Sequence, residues 1–335
     1  MIELKNTFNG KDILVTGGCG FIGRELVKQL LKFDVKRVRI YDNNESMLYY
    51  FQQELKDYKT VRYFIGDVRD SNRLKRAMKG VDIVFHAAAL KHVPLCEYNP
   101  SEAIKTNVFG TQNVVEVADE ENVEKVIFIS TDKAVNPINT MGATKLLSEK
   151  VVLNANVGGS KTKFSCVRFG NVLDSTGSVI PIFREQIRKG EAVTLTSEKM
   201  IRFFMPVSDA IKLVLKACTI MEGKEIFIIK MKSLKIKDLA EVMVEELSPN
   251  KPIAIQIIGI RPGEKLYEVL ITDEEANYVE DIDDMFIIKA TVIAPHLIIT
   301  PNNVNKITKN NYDVRQAMLL TKDEIRNILK KEGII

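Results

Sequence analysis

Between Asp12 and Phe169, short apolar runs rich in β-branched residues alternate with helical patterns. This alternation restricts the fold more than any other feature of the chain. The runs at 12–16 (DILVT), 37–41, 61–65, 81–86, 125–130 and 164–169 are bounded by turn residues, which predicts short strands covered on both faces. Residues 20–33, 46–56, 71–78, 100–119 and 140–153 read as the helices between them. In the first of these, Phe21, Ile22, Leu26, Leu30 and Leu31 supply the apolar positions. Strands joined by such crossovers form a parallel sheet, and right-handed crossovers wind it on both sides. The expected fold class is therefore α/β, with a doubly wound parallel sheet. Sheets of this kind bind ligands outside the carboxyl ends of their strands.

Composition narrows the function classes. With 45% hydrophobic and 27% charged residues, the chain has enough apolar material for a folded core. A net charge of +4, spread along 335 residues without a dense basic block, argues against a nucleic-acid partner. Cys19, Cys96, Cys166 and Cys218 form no C-x-x-C pair and read as free thiols in a reducing compartment. His86, His92 and His296 lack a metal-ligand spacing, so no catalytic metal is expected. No apolar run approaches the ~20 residues of a membrane span. The polar segment from Met1 to Gly10 has no signal-peptide core, so a cytoplasmic location and no membrane partner are expected.

The first strand runs into Gly17-Gly18-Cys19-Gly20-Phe21-Ile22-Gly23, a G-x-x-G-x-x-G turn that opens a helix. Glycines there allow a tight turn and close approach of the backbone to a pyrophosphate, which the helix N-terminus attracts. Asp42 ends the second strand about 20 residues further on, where an acid accepts hydrogen bonds from the ribose hydroxyls of NAD and repels a 2′-phosphate. NAD is thus favoured; NADP stays open because Arg24 lies at the helix start. After the third strand, Asp67 is placed to hold an adenine amino group and Val68 to pack on its ring. Ala87 and Ala88, after the fourth, let a cofactor lie against the backbone. His86 reads as a packed strand-end residue. Asn107 is either a helix-positioning residue or a cofactor-side hydrogen bonder.

Together with Ala87 to Pro94 and Ser130-Thr131-Asp132-Lys133-Ala134, these motifs resemble the extended short-chain dehydrogenase/reductase superfamily, with its Rossmann-type fold. Within it, they resemble the UDP-N-acetylglucosamine 4,6-dehydratases of polysaccharide biosynthesis in their short, soluble form. The likeness runs from about Lys11 to Tyr267. Extended members carry Tyr-x-x-x-Lys after the fifth strand, and this chain has Met141-Gly142-Ala143-Thr144-Lys145. Methionine exchanges no proton, which counts against an ordinary alcohol dehydrogenase. The resemblance implies oxidation at C4, loss of water across C5 and C6, and hydride return to C6, with the cofactor tightly bound and regenerated each turnover. It assigns Asp132 as the acid for the leaving water and Lys133 as the base at C5, a role that calls for a lowered lysine pKa. Lys145 is expected to hold the nicotinamide ribose and Thr131 to bond near the C4 oxygen. The C4 proton goes to Asp132 or to a water held by Thr131.

On the same likeness, residues 1–170 form a dinucleotide-binding domain, to which 205–232 return through a helix at 206–221 and a strand at 225–229. Residues 171–335 are mainly substrate-binding. Val172 is expected on the cofactor side. Lys91, Asn171, Arg202, Arg261 and Glu264 are expected on the UDP-sugar, with the two arginines forked onto the diphosphate and Glu264 on the ribose. Further elements expected are an amphipathic helix at 234–247, a solvated acidic loop at 273–284 and a capped helix at 321–333. A homo-oligomer, dimer or larger, is also expected. Two other readings compete: a nucleotide-sugar 4-epimerase, and a catalytically silent NAD(P)-binding sensor or scaffold.

Overall fold

The computed structural model describes residues 2–156, 159–289 and 312–335; His296 lies outside them. The strands are β1 (Asp12–Thr16), β2 (Arg37–Asp42), β3 (Val61–Ile65), β4 (Ile83–His86), β5 (Lys125–Ile129), β6 (Lys163–Arg168), β7 (Asn171–Val172), β8 (Val193–Leu195), β9 (Ile201–Met205), β10 (Glu225–Ile229), β11 (Ser233–Lys235), β12 (Ile255–Ile257), β13 (Val279–Ile282) and β14 (Met285–Lys289). The helices are α1 (Ile2–Phe8), α2 (Phe21–Leu30), α3 (Glu45–Glu54), α4 (Ser71–Met78), α5 (Val93–Tyr98), α6 (Pro100–Ala103), α7 (Gly110–Glu120), α8 (Thr140–Asn154), α9 (Val179–Lys189), α10 (Val207–Ile220), α11 (Ile236–Leu247) and α12 (Lys322–Lys331).

Seven strands pair in parallel in the order β10-β6-β5-β4-β1-β2-β3, and β14 and β13 extend the β10 edge antiparallel. The chain starts at β1, winds outward to β3, and returns past β1 to β4. The crevice between β1 and β4 is therefore the topological switch point, where ligands of such sheets sit. The doubly wound α/β fold predicted from the alternation is present. Its inner strands are buried on both faces because Leu14, Val84, Ile127 and Phe164 pack into one core with Leu26, Val114 and Ile211 of the covering helices. A second core unites α9, α11 and α12 with the short sheets β11-β9-β7 and β12-β8 through Phe183, Leu195, Leu239, Met243 and Ile325.

Four segments depart from the expectations. The polar N-terminus forms α1, because Phe8 is buried against the rings of Phe33 and Phe85, with centroids 5.2 and 6.3 Å away. The helix expected over 100–119 is divided into α6, a π-turn at Ile104–Phe109 and α7. The helix expected from Leu234 begins at Ile236, after β11. Finally, 273–284 is not a solvated loop. Glu275–Tyr278 is a 3₁₀ turn, and β13 follows, hairpinned to β14 through Asp283 at φ 47°. Glu275 reaches inward, where it and Glu149 share the guanidinium of Arg168, which is 1% exposed. Thus 225–229 and 279–289, although far along the chain, are strands of the main sheet.

Candidate active site

At the carboxyl end of β1, Gly17 has φ +64°, and a Cβ on it would come within 2.6 Å of the backbone nitrogen of Ala88. A side chain at Gly23 would likewise collide with the backbone of Gly17. The turn therefore packs its backbone closely against the backbone after β4, and α2 starts directly from it. This geometry fits a dinucleotide diphosphate. Phe21 and Ile22, half-buried in the first turn of α2, pack against the sheet core. Asp42 is held by two backbone amides, accepting from Cys19 N at 2.9 Å and Asn44 N at 3.0 Å. The Arg24 guanidinium is paired with Glu54 and lies 4.2 Å from the centroid of the Phe51 ring. Asp67 accepts a forked pair of bonds from Arg69, which holds its carboxyl below the usual range. Val68 is buried and packs against Gly110 of α7.

His86 is buried between two hydroxyls, with Nδ1 2.7 Å from Thr16 Oγ1 and Nε2 3.0 Å from Thr111 Oγ1. Burial, and then Lys145, push its pKa down to about 3, so it stays a neutral strand-end group. Asn107, within the π-turn, accepts from Leu90 N and donates to Leu90 O and Thr144 Oγ1. Its side chain thus pins the loop after β4 to α8; it is a positioning residue. A π-turn places that amide where a regular helix would carry it past the loop.

Beyond β5 the chain makes a 3₁₀ turn at Asp132–Ala134, with the Thr131 hydroxyl accepting from Lys133 N. Asp132 is fully buried. Its Oδ1 accepts from Thr131 Oγ1 and from Lys133 Nζ, both at 2.9 Å, while its Oδ2 has no hydrogen-bond partner among the described residues. Lys133 Nζ also donates to Asn171 Oδ1 at 3.1 Å, which joins the end of β5 to β7, where Val172 is buried. The expectation of a lowered Lys133 pKa is corrected. Burial disfavours the charge, but the Asp132 and Glu268 carboxyls outweigh it and raise the pKa above its ordinary value. Lys133 is held as an ammonium. Lys91, which follows β4, has its pKa lowered by burial and by Lys133.

Lys145, four residues beyond position 141, is buried. It donates to Ile129 O at 2.8 Å and lies 4.4 Å from the Phe128 ring centroid. Burial lowers its pKa to about 8 against the pull of Glu149 one turn on. Met141 is 3% exposed and packs in an apolar cluster with Val93, Cys96 and Ala103. Its position on α8 is filled by packing.

The segment after Arg261 folds over this end. Arg261-Pro262-Gly263-Glu264 is a turn, with Gly263 at φ +75° and Glu264 N donating to Arg261 O. Three contacts clamp this turn and the residues just beyond it. Asn139 donates to Gly263 O, Lys265 Nζ donates to Val135 O at 2.7 Å, and Arg202 donates to the carbonyls of Lys265 and Leu266. The expected fork of two arginines on a diphosphate is therefore corrected. Arg202 is 5% exposed and spends its donors on the backbone, whereas Arg261 is exposed. The clamp brings Glu268 into the electrostatic field of Asp132 and Lys133. The sequence reading missed this residue, although a lone acid before the apolar run Val269-Leu270-Ile271 was a usable signal. Among the described residues, no cluster of His, Cys, Asp or Glu is arranged to hold a metal, and no helix is long and apolar enough to cross a membrane.

The polysaccharide biosynthesis protein family matches residues 13–290. An uncharacterized membrane protein of Methanocaldococcus jannaschii is 56% identical over 336 residues, 98% of each chain. A UDP-N-acetylglucosamine 4,6-dehydratase (inverting) of Campylobacter jejuni is 43% identical, over 85% of this chain and 84% of that one. A UDP-glucose 4-epimerase of Rickettsia bellii is also 43% identical, over 83% of each. Among solved structures, Pen from Bacillus thuringiensis superposes with a TM-score of 0.90 at 40% identity, covering 98% of this chain and 99% of that one.

Proposed function

The chain belongs to the polysaccharide biosynthesis protein family, and from that premise we propose that it is a nucleotide-sugar 4,6-dehydratase acting on UDP-N-acetylglucosamine. One observation carries the reading: a buried Asp132, bonded to Lys133, on the turn after β5. An epimerase moves one hydride and one hydroxyl proton. Elimination of water needs a separate acid and base, and this pair can supply both. Moving one proton along the 2.9 Å bond from Lys133 to Asp132 turns ammonium and carboxylate into amine and carboxylic acid. The amine then takes the C5 proton and the acid protonates the C6 oxygen as water leaves. Lys133 afterwards returns a proton to C5, and the proton released from the C4 hydroxyl restores the ammonium.

In this reading a nicotinamide dinucleotide bound there would supply the hydride chemistry between C4 and C6. Gly17, Gly20 and Gly23, with Ala87 and Ala88, leave room for its diphosphate, and Asp42 meets its ribose. NAD is favoured over NADP because Arg24, the cation at the start of α2, is neutralised by Glu54. Lys145 and Thr131 act on the nicotinamide ribose and the C4 oxygen. Lys91, Asn171, Arg261 and Glu264 face the sugar nucleotide, while Arg202 shapes the site through the 265–266 backbone.

The test is to incubate purified protein and NAD with UDP-N-acetylglucosamine and identify the product. A 4-keto-6-deoxy sugar, which absorbs under alkali, supports the proposal. A C4 epimer as the only product would replace it with the epimerase reading, which the Rickettsia relative's name favours. No change in the sugar would favour the sensor.

A further inference from the structure

Helix α8 buries more than apolar side chains. Thr144, Lys145, Ser148 and Glu149 lie on it at consecutive turns, and none is more than 6% exposed. Burying four polar side chains is costly unless each finds a partner, and each does. Thr144 and Ser148 bond to Asn107 in the π-turn: Asn107 Nδ2 donates to Thr144 Oγ1, and Ser148 Oγ donates to Asn107 O. Lys145 and Glu149 bond instead to two consecutive residues, Ile129 at the end of β5 and Ser130 after it. Lys145 Nζ donates to Ile129 O at 2.8 Å, and Ser130 Oγ donates to Glu149 Oε1. Glu149 is in turn gripped by a fork, with Arg168 Nε 3.1 Å from Oε1 and Nη2 2.7 Å from Oε2. The next three residues after Ser130 are Thr131, Asp132 and Lys133, and the backbone there is tied to β6 and the residue after it by Ser130 N on Val167 O and Asp132 N on Phe169 O.

We propose that Glu149 is a positioning residue for the candidate site: its carboxyl, fixed by Arg168, holds both the strand end that carries Thr131 to Lys133 and the buried amino group of Lys145. The two tasks fall to one residue because of helix geometry. Positions 145 and 149 are neighbours one turn apart on α8, and their two bonds to residues 129 and 130 lock that turn against the end of β5. A strand end held at one point can still pivot; held at two adjacent residues from a rigid helix, it keeps its direction. The charge of Glu149 also acts on Lys145. His86 on β4 and Cys166 on β6 face that lysine as well, and burial keeps both uncharged at neutral pH. The carboxyl of Glu149 therefore favours the ammonium form of Lys145 against burial, which alone would drive it further down. The remaining donors of Arg168 go to Leu270 O and Glu275, so the later segment braces the same carboxyl from behind.

This proposal rests on the dehydratase reading for its use, but both tasks are measurable without turnover. Protein labelled with ¹³C at the lysine Cε positions is titrated by NMR, with Lys145 assigned as the signal missing from Lys145→Met. The wild-type midpoint is expected near 8. In Glu149→Gln it is expected at least about one pH unit lower, and in Glu149→Asp, which keeps the charge, within about half a unit of the wild type. An unmoved midpoint in Glu149→Gln overturns the proposal. Ser130→Ala removes only the hydroxyl and leaves every charge in place, so this arm holds even where Glu149→Gln does not fold. Amide hydrogen exchange at residues 130–134 is expected to be about 10-fold faster in this variant, with the Lys145 midpoint unchanged. Exchange at the wild-type rate would also overturn the proposal. In the dehydratase assay, Ser130→Ala is expected to lower kcat about 10-fold and leave KM within about 2-fold. A wild type that meets the NMR and exchange expectations yet forms no dehydratase product would count against the function alone.

Discussion

Lys145 is buried on α8 and Lys133 is half-buried on the turn after β5, yet their surroundings drive them in opposite directions. Lys133 has a carboxylate at 2.9 Å and stays charged. Lys145 has a backbone carbonyl and an aromatic face, with its acid, Glu149, committed to Arg168 and Ser130. Its pKa of about 8 in the fold, against 10.5 when free, makes it a stability group as well. Between those values the unfolded chain binds more protons than the folded one, so stability rises with pH across the window. Urea titrations of wild type and Lys145→Met at pH 7.5 and 10.5 are expected to show the wild type gaining about 3 kcal/mol relative to the variant on going to the higher pH. A constant difference between the two proteins would mean that Lys145 is neutral, or solvated, throughout.

At the scale of elements, the strands were legible because a β-branched run between turn residues has few other uses. Residues 12–16 and 61–65 were found to their ends. The missed elements lacked such a signature. α1 has only Ile2, Leu4 and Phe8 as apolar residues. β13 carries Glu280 and Asp281 at the sheet edge, where acids guard against further pairing and disguise the strand as a loop. The Asp132-Lys133 turn was legible from its place after a buried strand. The direction of the Lys133 pKa was not, because it is set by Asp132 together with Glu268, the second brought from 135 residues away by contacts that no local pattern encodes. The same long reach created the Arg168 network, in which β6, α8 and the turn before β13 meet through one buried guanidinium. Arg168→Met leaves Glu149 and Glu275 without their cation and is expected to cost about 3–5 kcal/mol in urea unfolding. Adding Glu149→Gln and Glu275→Gln to that variant is expected to recover part of the loss. Full stability in the single variant would show that the network is not coupled to folding.

In the whole molecule, the second part of the chain is tied to the turn after β5 and the start of α8 through Asn171, Gly263 and Lys265. The sheet contributes the glycine turn and the Asp132–Lys133 pair. The later segments contribute Asn171, the Arg202 clamp and Glu268, so the site exists only when both parts are folded together. The account depends on Lys133 being the group that moves the C5 proton, and deuterium tests this directly. Wild type and Lys133→Met are incubated with NAD and UDP-N-acetylglucosamine in deuterated water, and the products are read by NMR. The wild type is predicted to yield a 4-keto-6-deoxy sugar carrying deuterium at C5, and the variant to bind the nucleotide sugar but form neither product nor C5 label. A Lys133→Met protein that labels C5 and eliminates water at the wild-type rate would contradict the account.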